Sequence, residues 1–197
     1  VNLDNKTASA ATSDLSEHTI KQLLENAIER AKLSSVDESA VFPDFEKLTI
    51  DPEQLKLYSP EINSISTEDK IKAAKELEKI SLADKRITLS AGSGYSTSES
   101  EYFLALSNGF SGSYKSSNCS IGVYLQAGKD ATATQEGWYD SARKPKDLMP
   151  ISEIAKIAIE RATRLQNAKK INTQTVPVII DRYISSTVIG FLLQCLN

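Results

Sequence analysis

The stretch from Tyr102 to Gln126 most constrains the fold of this chain. Tyr102, Leu104 and Leu106 alternate with Phe103 and Ala105, and Asn108-Gly109 then supplies a two-residue hairpin turn. Beyond the turn, Phe110 to Ser117 and Asn118 to Gln126 continue as strand, with Cys119, Ile121, Val123 and Leu125 on one face. Gly128-Lys129-Asp130 marks another turn, and Ala131 to Tyr139 reads as a further strand rich in Thr. Turns this short cannot join parallel strands, so the pattern predicts an antiparallel meander around residues 87–140. It opens with a short strand at Ile87-Thr88-Leu89. Ala91 to Ser100 follows as a Gly/Ser-rich turn or edge.

Helices flank this sheet. Ser16 is a candidate N-cap, and behind it Ile20, Leu23, Leu24, Ala27, Ile28 and Ala31 make one apolar stripe over residues 17–33. A second helix begins near Ser66-Thr67, where Glu68 and Asp69 suit the positive end of the helix dipole. Its buried stripe is predicted as Ile71, Ala74, Leu77 and Ile80 or Ser81. Ile151, Ile154, Ala155, Ala158, Ile159, Ala162 and Leu165 pattern a third helix. Val176 to Ile180 reads as a buried strand, and Asp181 as the cap of a last helix burying Ile184, Val188, Leu192 and Cys195. Asn5 to Thr12 reads as a strand. Residues 34–63 carry Pro43, Pro52 and Pro60 without a stable period, as a surface wrap pinned by Phe42, Phe45, Leu55 and Tyr58. The class is therefore α+β, an antiparallel sheet flanked by helices.

Composition excludes several functions. Lys and Arg number 23 against 26 Asp and Glu, for a net charge of −3, so the electrostatic footprint of a nucleic-acid binder is missing. No apolar run reaches the ~20 residues of a membrane-spanning helix, and no signal peptide opens the chain. Two cysteines suit free thiols in a reducing compartment, and a cytoplasmic location is expected. A single His argues against a self-contained zinc site, which wants several His or Cys ligands. The start at Val1 and the apolar, uncapped end at Phe191 to Asn197 suggest an interior piece of a longer protein.

Each candidate for chemistry has a plainer reading. His18 has no second His to complete a triad or a metal set, and an exposed helical His is expected. Cys119 and Cys195 fall on apolar faces, as buried inert thiols would. Ser107 to Ser113 is rich in Gly and Ser, but strands flank it where a phosphate cradle needs a helix N-terminus; Gly92-Ser93-Gly94 is weaker still. Trp138-Tyr139-Asp140-Ser141-Ala142-Arg143 could edge a ligand site, although aromatics at a strand end more often seal a sheet corner. The residues alone thus describe a non-catalytic binding or scaffolding module with no catalytic, cofactor or metal residue to name.

Five segments, in order, resemble the TldD/PmbA family. They are Thr12 to Ser16 with Ala31-Lys32-Leu33 and Asp37; Ala83-Asp84-Lys85-Arg86-Ile87; Ser107 to Ser113; Tyr139 to Arg143 with Asp147-Leu148; and Ala168 to Ile171 with Val176 to Asp181. The resemblance implies that residues 1–33 end an N-terminal α/β region. Residues 34–66 would form an irregular wrapping connection, and residues 67–197 a middle α+β region truncated at its C-terminal end. In the family's TldD branch, a zinc peptidase, HExxxH lies on the helix after the Val-Pro-Val strand. Here Gly190 and Phe191 stand where His and Glu would be, and Cys195 stands near the second His.

That departure is similar to the TldE/PmbA branch, whose members pair with the active subunit as a non-catalytic half. The resemblance therefore implies a TldD-like partner carrying the zinc, or self-association, and peptide or unfolded-protein substrates. Two alternatives stay open: a metallopeptidase whose active site lies in a missing C-terminal half, and a homodimeric peptide-binding module. The family's older label, modulator of DNA gyrase, finds no support in charge or motif.

Overall fold

A computed structural model describes residues 1–40 and 51–196. The chain divides into two compact units, residues 1–55 with 103–114 and residues 56–102 with 115–197.

The first unit opens with a minimal hairpin, β1 (Asn2–Leu3) and β2 (Lys6–Thr7). Asp4 and Asn5 turn it, both at positive φ (49° and 60°), the geometry of a primed turn. This replaces the longer strand expected from Asn5 to Thr12. Helix α1 (Glu17–Leu33) follows, and the Ser16 side chain accepts from the Thr19 N–H as its N-cap. Ser34 Oγ donates to the Thr7 carbonyl at 2.9 Å and ties the helix end to the hairpin. Only Ala27 and Ala31 of the predicted stripe are buried. At residues 103–114 lies the tip of a long hairpin. Leu106 N–H donates to the Phe110 carbonyl and Gly109 N–H to the Leu106 carbonyl, enclosing a three-residue loop rather than the two-residue turn expected. Gly109 sits at φ +88°, which suits a glycine.

The second unit holds the core. Helix α2 (Thr67–Leu82) starts on Ser66, whose hydroxyl accepts from the Asp69 N–H. Leu77 and Ser81 are its buried residues, whereas Ile71 is half exposed. Strands β3 (Ile87–Ala105), β4 (Ser111–Ala127) and β5 (Thr134–Ala142) form a three-stranded sheet in the order β3-β4-β5. β5 pairs antiparallel with β4, Val123 opposite Trp138 and Ile121 opposite Asp140. The Gly/Ser stretch expected as a turn or edge is thus the middle of a 19-residue strand at the edge of the sheet.

Helix α3 (Ile151–Arg164) packs on β5 and on α2. Its Ile154, Ala155, Ala158 and Ala162 close on Ile121, Val123, Leu125 and Ala127 of β4, with Leu77 and Ile87 completing the cluster. The three alanines let the helix come close to the sheet. Truncating Leu77 or Leu125, both fully buried, to Ala costs about 2–5 kcal/mol.

Residues 56–64 are pinned by Ile62 and Ser59, both buried. Ser117 Oγ accepts from the Ser59 N–H at 2.9 Å and donates to the Arg143 carbonyl at 3.1 Å. The expected anchor Leu55 is exposed and Tyr58 half-buried; Phe42 and Phe45 lie outside the described residues.

Val176 to Ile180 does not form a strand. Ile179 is 97% exposed, and no described strand lies alongside to take its backbone hydrogen bonds. Helix α4 (Arg182–Gln194) does start at Asp181, whose Oδ1 accepts from the Tyr183 N–H at 2.9 Å. None of its residues is buried, so the expected stripe of Ile184, Val188, Leu192 and Cys195 has no core to face.

Candidate functional site

Period-two alternation along β5 places Glu136, Trp138 and Asp140 on the sheet face that carries Leu125, Val123 and Ile121 of β4. Arg161 reaches this row from α3. Its Nη2 lies 3.1 Å from Glu136 Oε1 and its guanidinium 5.0 Å from the Trp138 ring centroid, so one side chain makes both an ion pair and a cation–π contact. Tyr183, at the start of α4, meets Trp138 edge-on at 4.6 Å between ring centres. Asp140 Oδ2 accepts from the Met149 N–H at 2.7 Å, which fixes the loop between β5 and α3. A cleft of about 720 Å³ opens along these groups.

The opposite sheet face sets two glycines under tyrosines. A Cβ on Gly137 would lie 2.5 Å from the Val123 carbonyl oxygen and 2.7 Å from the Tyr124 ring, and one on Gly122 would lie 2.6 Å from Tyr139 Cβ. Glycine at 137 is what leaves room for the Tyr124 ring, and glycine at 122 for the close approach of the Tyr139 backbone and Cβ.

Burial pushes the Cys119 thiol up, and its Sγ donates to the Ala142 carbonyl at 3.3 Å. The Tyr95 hydroxyl, raised first by burial and then by Cys119, is pushed up to about 12. Both groups are protonated at neutral pH and are poor nucleophiles. The Asp84-Lys85-Arg86-Ile87 segment is a structural device. Asp84 accepts from the Arg86 N–H at 2.9 Å and from its guanidinium at 3.0 and 2.7 Å, closing the turn from α2 into β3 and delivering Ile87 to the core.

Of the other sequence candidates, His18, Ser107 to Ser113, Cys119 and Cys195 do not line the cleft. His18 is exposed on α1, Ser107 to Ser113 is the exposed hairpin tip, and Gly92 to Gly94 lies within β3. Cys119 is buried as expected, but Cys195 is exposed, contrary to its expected burial. On α4, Gly190 and Phe191 offer no donor atom and Cys195 only one, so these residues do not fit a zinc ion. Among the described residues no group of three or more His, Cys, Asp or Glu is placed to hold a metal, and no helix is long and apolar enough to cross a membrane. Of the sequence candidates, Trp138 to Ser141 line the cleft, and Gly92 of β3 also reaches it. Their partners Glu136, Arg161 and Tyr183 carried no linear motif; the one available hint is that Arg161 directly precedes Ala162 on the apolar stripe of α3.

Comparison with known proteins gives a consistent picture. The family model for the PmbA/TldA metallopeptidase central domain matches residues 60–166. The chain is 26% identical to the metalloprotease PmbA of Escherichia coli O157:H7 over 95% of its own length, and 26% identical to the PmbA homologue of Haemophilus influenzae over 96%. It spans about 42% of the length of either relative. A Bacteroides thetaiotaomicron protein assigned as a modulator of DNA gyrase superposes with a TM-score of 0.81 at 27% identity, covering 99% of this chain and 45% of that one. TldE from Thermococcus kodakarensis shares the fold at a TM-score of 0.63 and 20% identity, over 81% of this chain and 35% of that one. With the stretch from Pro60 to Gln166 matched by the central-domain model, the chain belongs to the PmbA/TldD family.

Proposed function

We propose that the chain is part of a TldE/PmbA-like subunit that carries no zinc and pairs with a TldD-like zinc peptidase acting on peptides or unfolded protein. The observation that supports this reading is the donor set of α4 and its cap: Gly190 and Phe191 offer no ligand and Cys195 a single thiol, at the positions where the family resemblance implies HExxxH in the zinc peptidase branch. A Glu acting on metal-bound water needs that ligand frame, and α4 cannot build it. The pairing, the substrate class and a cytoplasmic location come from the family resemblance. Metal analysis of the full-length protein, alone and mixed with a TldD-type partner, tests the reading. Zinc and peptidase activity are expected only in the mixture, and stoichiometric zinc with activity in the isolated protein overturns it.

The names of the relatives favour a second reading. The Escherichia coli and Haemophilus proteins are called metalloproteases, and this chain matches less than half of each. On this reading the protein is itself a peptidase whose ligands lie outside residues 1–197. The same metal analysis separates the two.

A further inference from the structure

We propose that the cleft between β5 and α4 binds an organic cation, a primary ammonium or a guanidinium, held by Asp140 against Trp138 and Tyr183. This stands on the cleft itself and is independent of the subunit's catalytic status.

The chain already shows what this face selects. Glu136, Trp138 and Asp140 follow one another on one side of β5, a carboxylate on either side of an indole. The first half of that pattern holds a cation, Arg161, paired with Glu136 and stacked on Trp138. The second half repeats the chemistry. Asp140 lies next to Trp138, whose ring meets Tyr183 edge-on, yet among the described residues no Lys or Arg pairs with Asp140. Its one hydrogen bond, from the Met149 N–H to Oδ2, leaves the carboxylate charge uncompensated in a half-buried position.

The cleft's charged lining at neutral pH is two carboxylates, Glu136 and Asp140, against one guanidinium, Arg161, a formal charge of −1. An unmatched anion beside aromatic walls attracts a cation more strongly than the same anion in water, because both the carboxylate and the ring faces act on it. The indole Nε1–H of Trp138 is buried and has no acceptor among the described residues. A ligand with a carbonyl beside its cation would supply one.

Trp138 is the single tryptophan of the chain and reports directly on its own cleft. The test is a fluorescence titration of the 197-residue chain with alanyl-alaninamide, Nα-acetyl-lysinamide and Nα-acetyl-argininamide, and with the neutral acetyl-alanyl-alaninamide as control. A saturable change with at least one cationic probe at about millimolar concentration is expected, and none with the control. Which cation saturates tells a chain-terminal amine from a basic side chain. Asp140→Asn keeps an oxygen for the Met149 N–H but removes the charge, and should raise Kd roughly tenfold with the unliganded emission unchanged. Equal binding of the neutral probe, wild-type affinity in D140N, or no saturable change with any cation overturns the proposal.

Discussion

Glu136 and Arg161, 25 residues apart in sequence, join the edge strand β5 to helix α3 through a 3.1 Å ion pair roofed by Trp138. Both side chains are mostly covered, at 31% and 21% exposure, so the pair is better shielded from solvent than the others on the surface. Arg161→Ala removes the charge partner of Glu136 and uncovers one face of Trp138, and should destabilise the fold by about 1–2 kcal/mol. Glu136→Gln keeps an acceptor for the guanidinium and should cost less, under about 1 kcal/mol. Urea unfolding followed by Trp138 emission measures both. An Arg161→Ala midpoint equal to that of the wild type would show that the pair contributes nothing.

The glycines of the sheet should divide sharply on substitution. A methyl on Gly137 meets the Val123 carbonyl oxygen at 2.5 Å, and backbone there cannot step aside without breaking the β4–β5 ladder. Gly94 on β3 has nothing within 4 Å of the same position. Gly137→Ala should therefore cost about 1–3 kcal/mol or more, and Gly94→Ala should stay within about 0.5 kcal/mol of wild type. Thermal melts of the two variants side by side check the contrast, and equal melting temperatures would refute it.

Helix α3 was legible by its stripe alone, since Pro150 gives it no side-chain cap, and the other three by their starts. Ser16, Ser66 and Asp181 cap where the sequence places them. The inner face of β4 was equally clear, because Cys119, Ile121, Val123 and Leu125 alternate without a break and all four are buried. Ala91 to Ser100, expected as a turn or edge, is an edge strand rather than a turn: Gly and Ser have little strand preference, and pairing with β4 holds that segment extended. Val176 to Ile180 failed the opposite way, since a strand-like composition makes no strand without a neighbour to pair with. The cleft was half legible. Trp138 to Arg143 stood out by residue type, whereas Arg161 and Tyr183 reach Trp138 only through the packing of α3 and the position of α4.

The Asp84–Arg86 turn gives stability a defined acid dependence. Hydrogen bonds from the Arg86 side chain first, then from its backbone N–H, lower the Asp84 carboxyl from 3.8 to about 2. A carboxyl lowered in the folded state adds stability that is fully present above its unfolded value of 3.8 and is lost as pH falls through about 2. Asp84→Asn should thus be less stable than wild type at pH 7, with the gap closing between 3.8 and about 2. Arg86 is 59% exposed, so solvent screening should hold the effect to about 1 kcal/mol or less. Chemical denaturation across that pH range is the check; a gap that persists at the acid end would mean the Asn change acts through the turn's shape and not through the charge.

The two thiols should differ in reactivity by position. Cys195 is exposed on α4, whereas Cys119 is buried on β4, its Sγ donating to the Ala142 carbonyl and its thiol held protonated by burial. Thiol reagents attack through the thiolate, so Cys119 is doubly protected, by lack of access and by lack of charge. A colorimetric disulfide reagent at neutral pH should titrate one thiol per native chain quickly and the second only after denaturant is added. Cys195→Ser should abolish the fast phase. Because Cys119 faces the core beneath the β4–β5 ladder, its slow labelling requires that ladder to open. The free energy it reports should then match the global unfolding value rather than that of a fraying terminus. Fast labelling of both thiols in the native chain would place Cys119 in a segment that opens independently of the core.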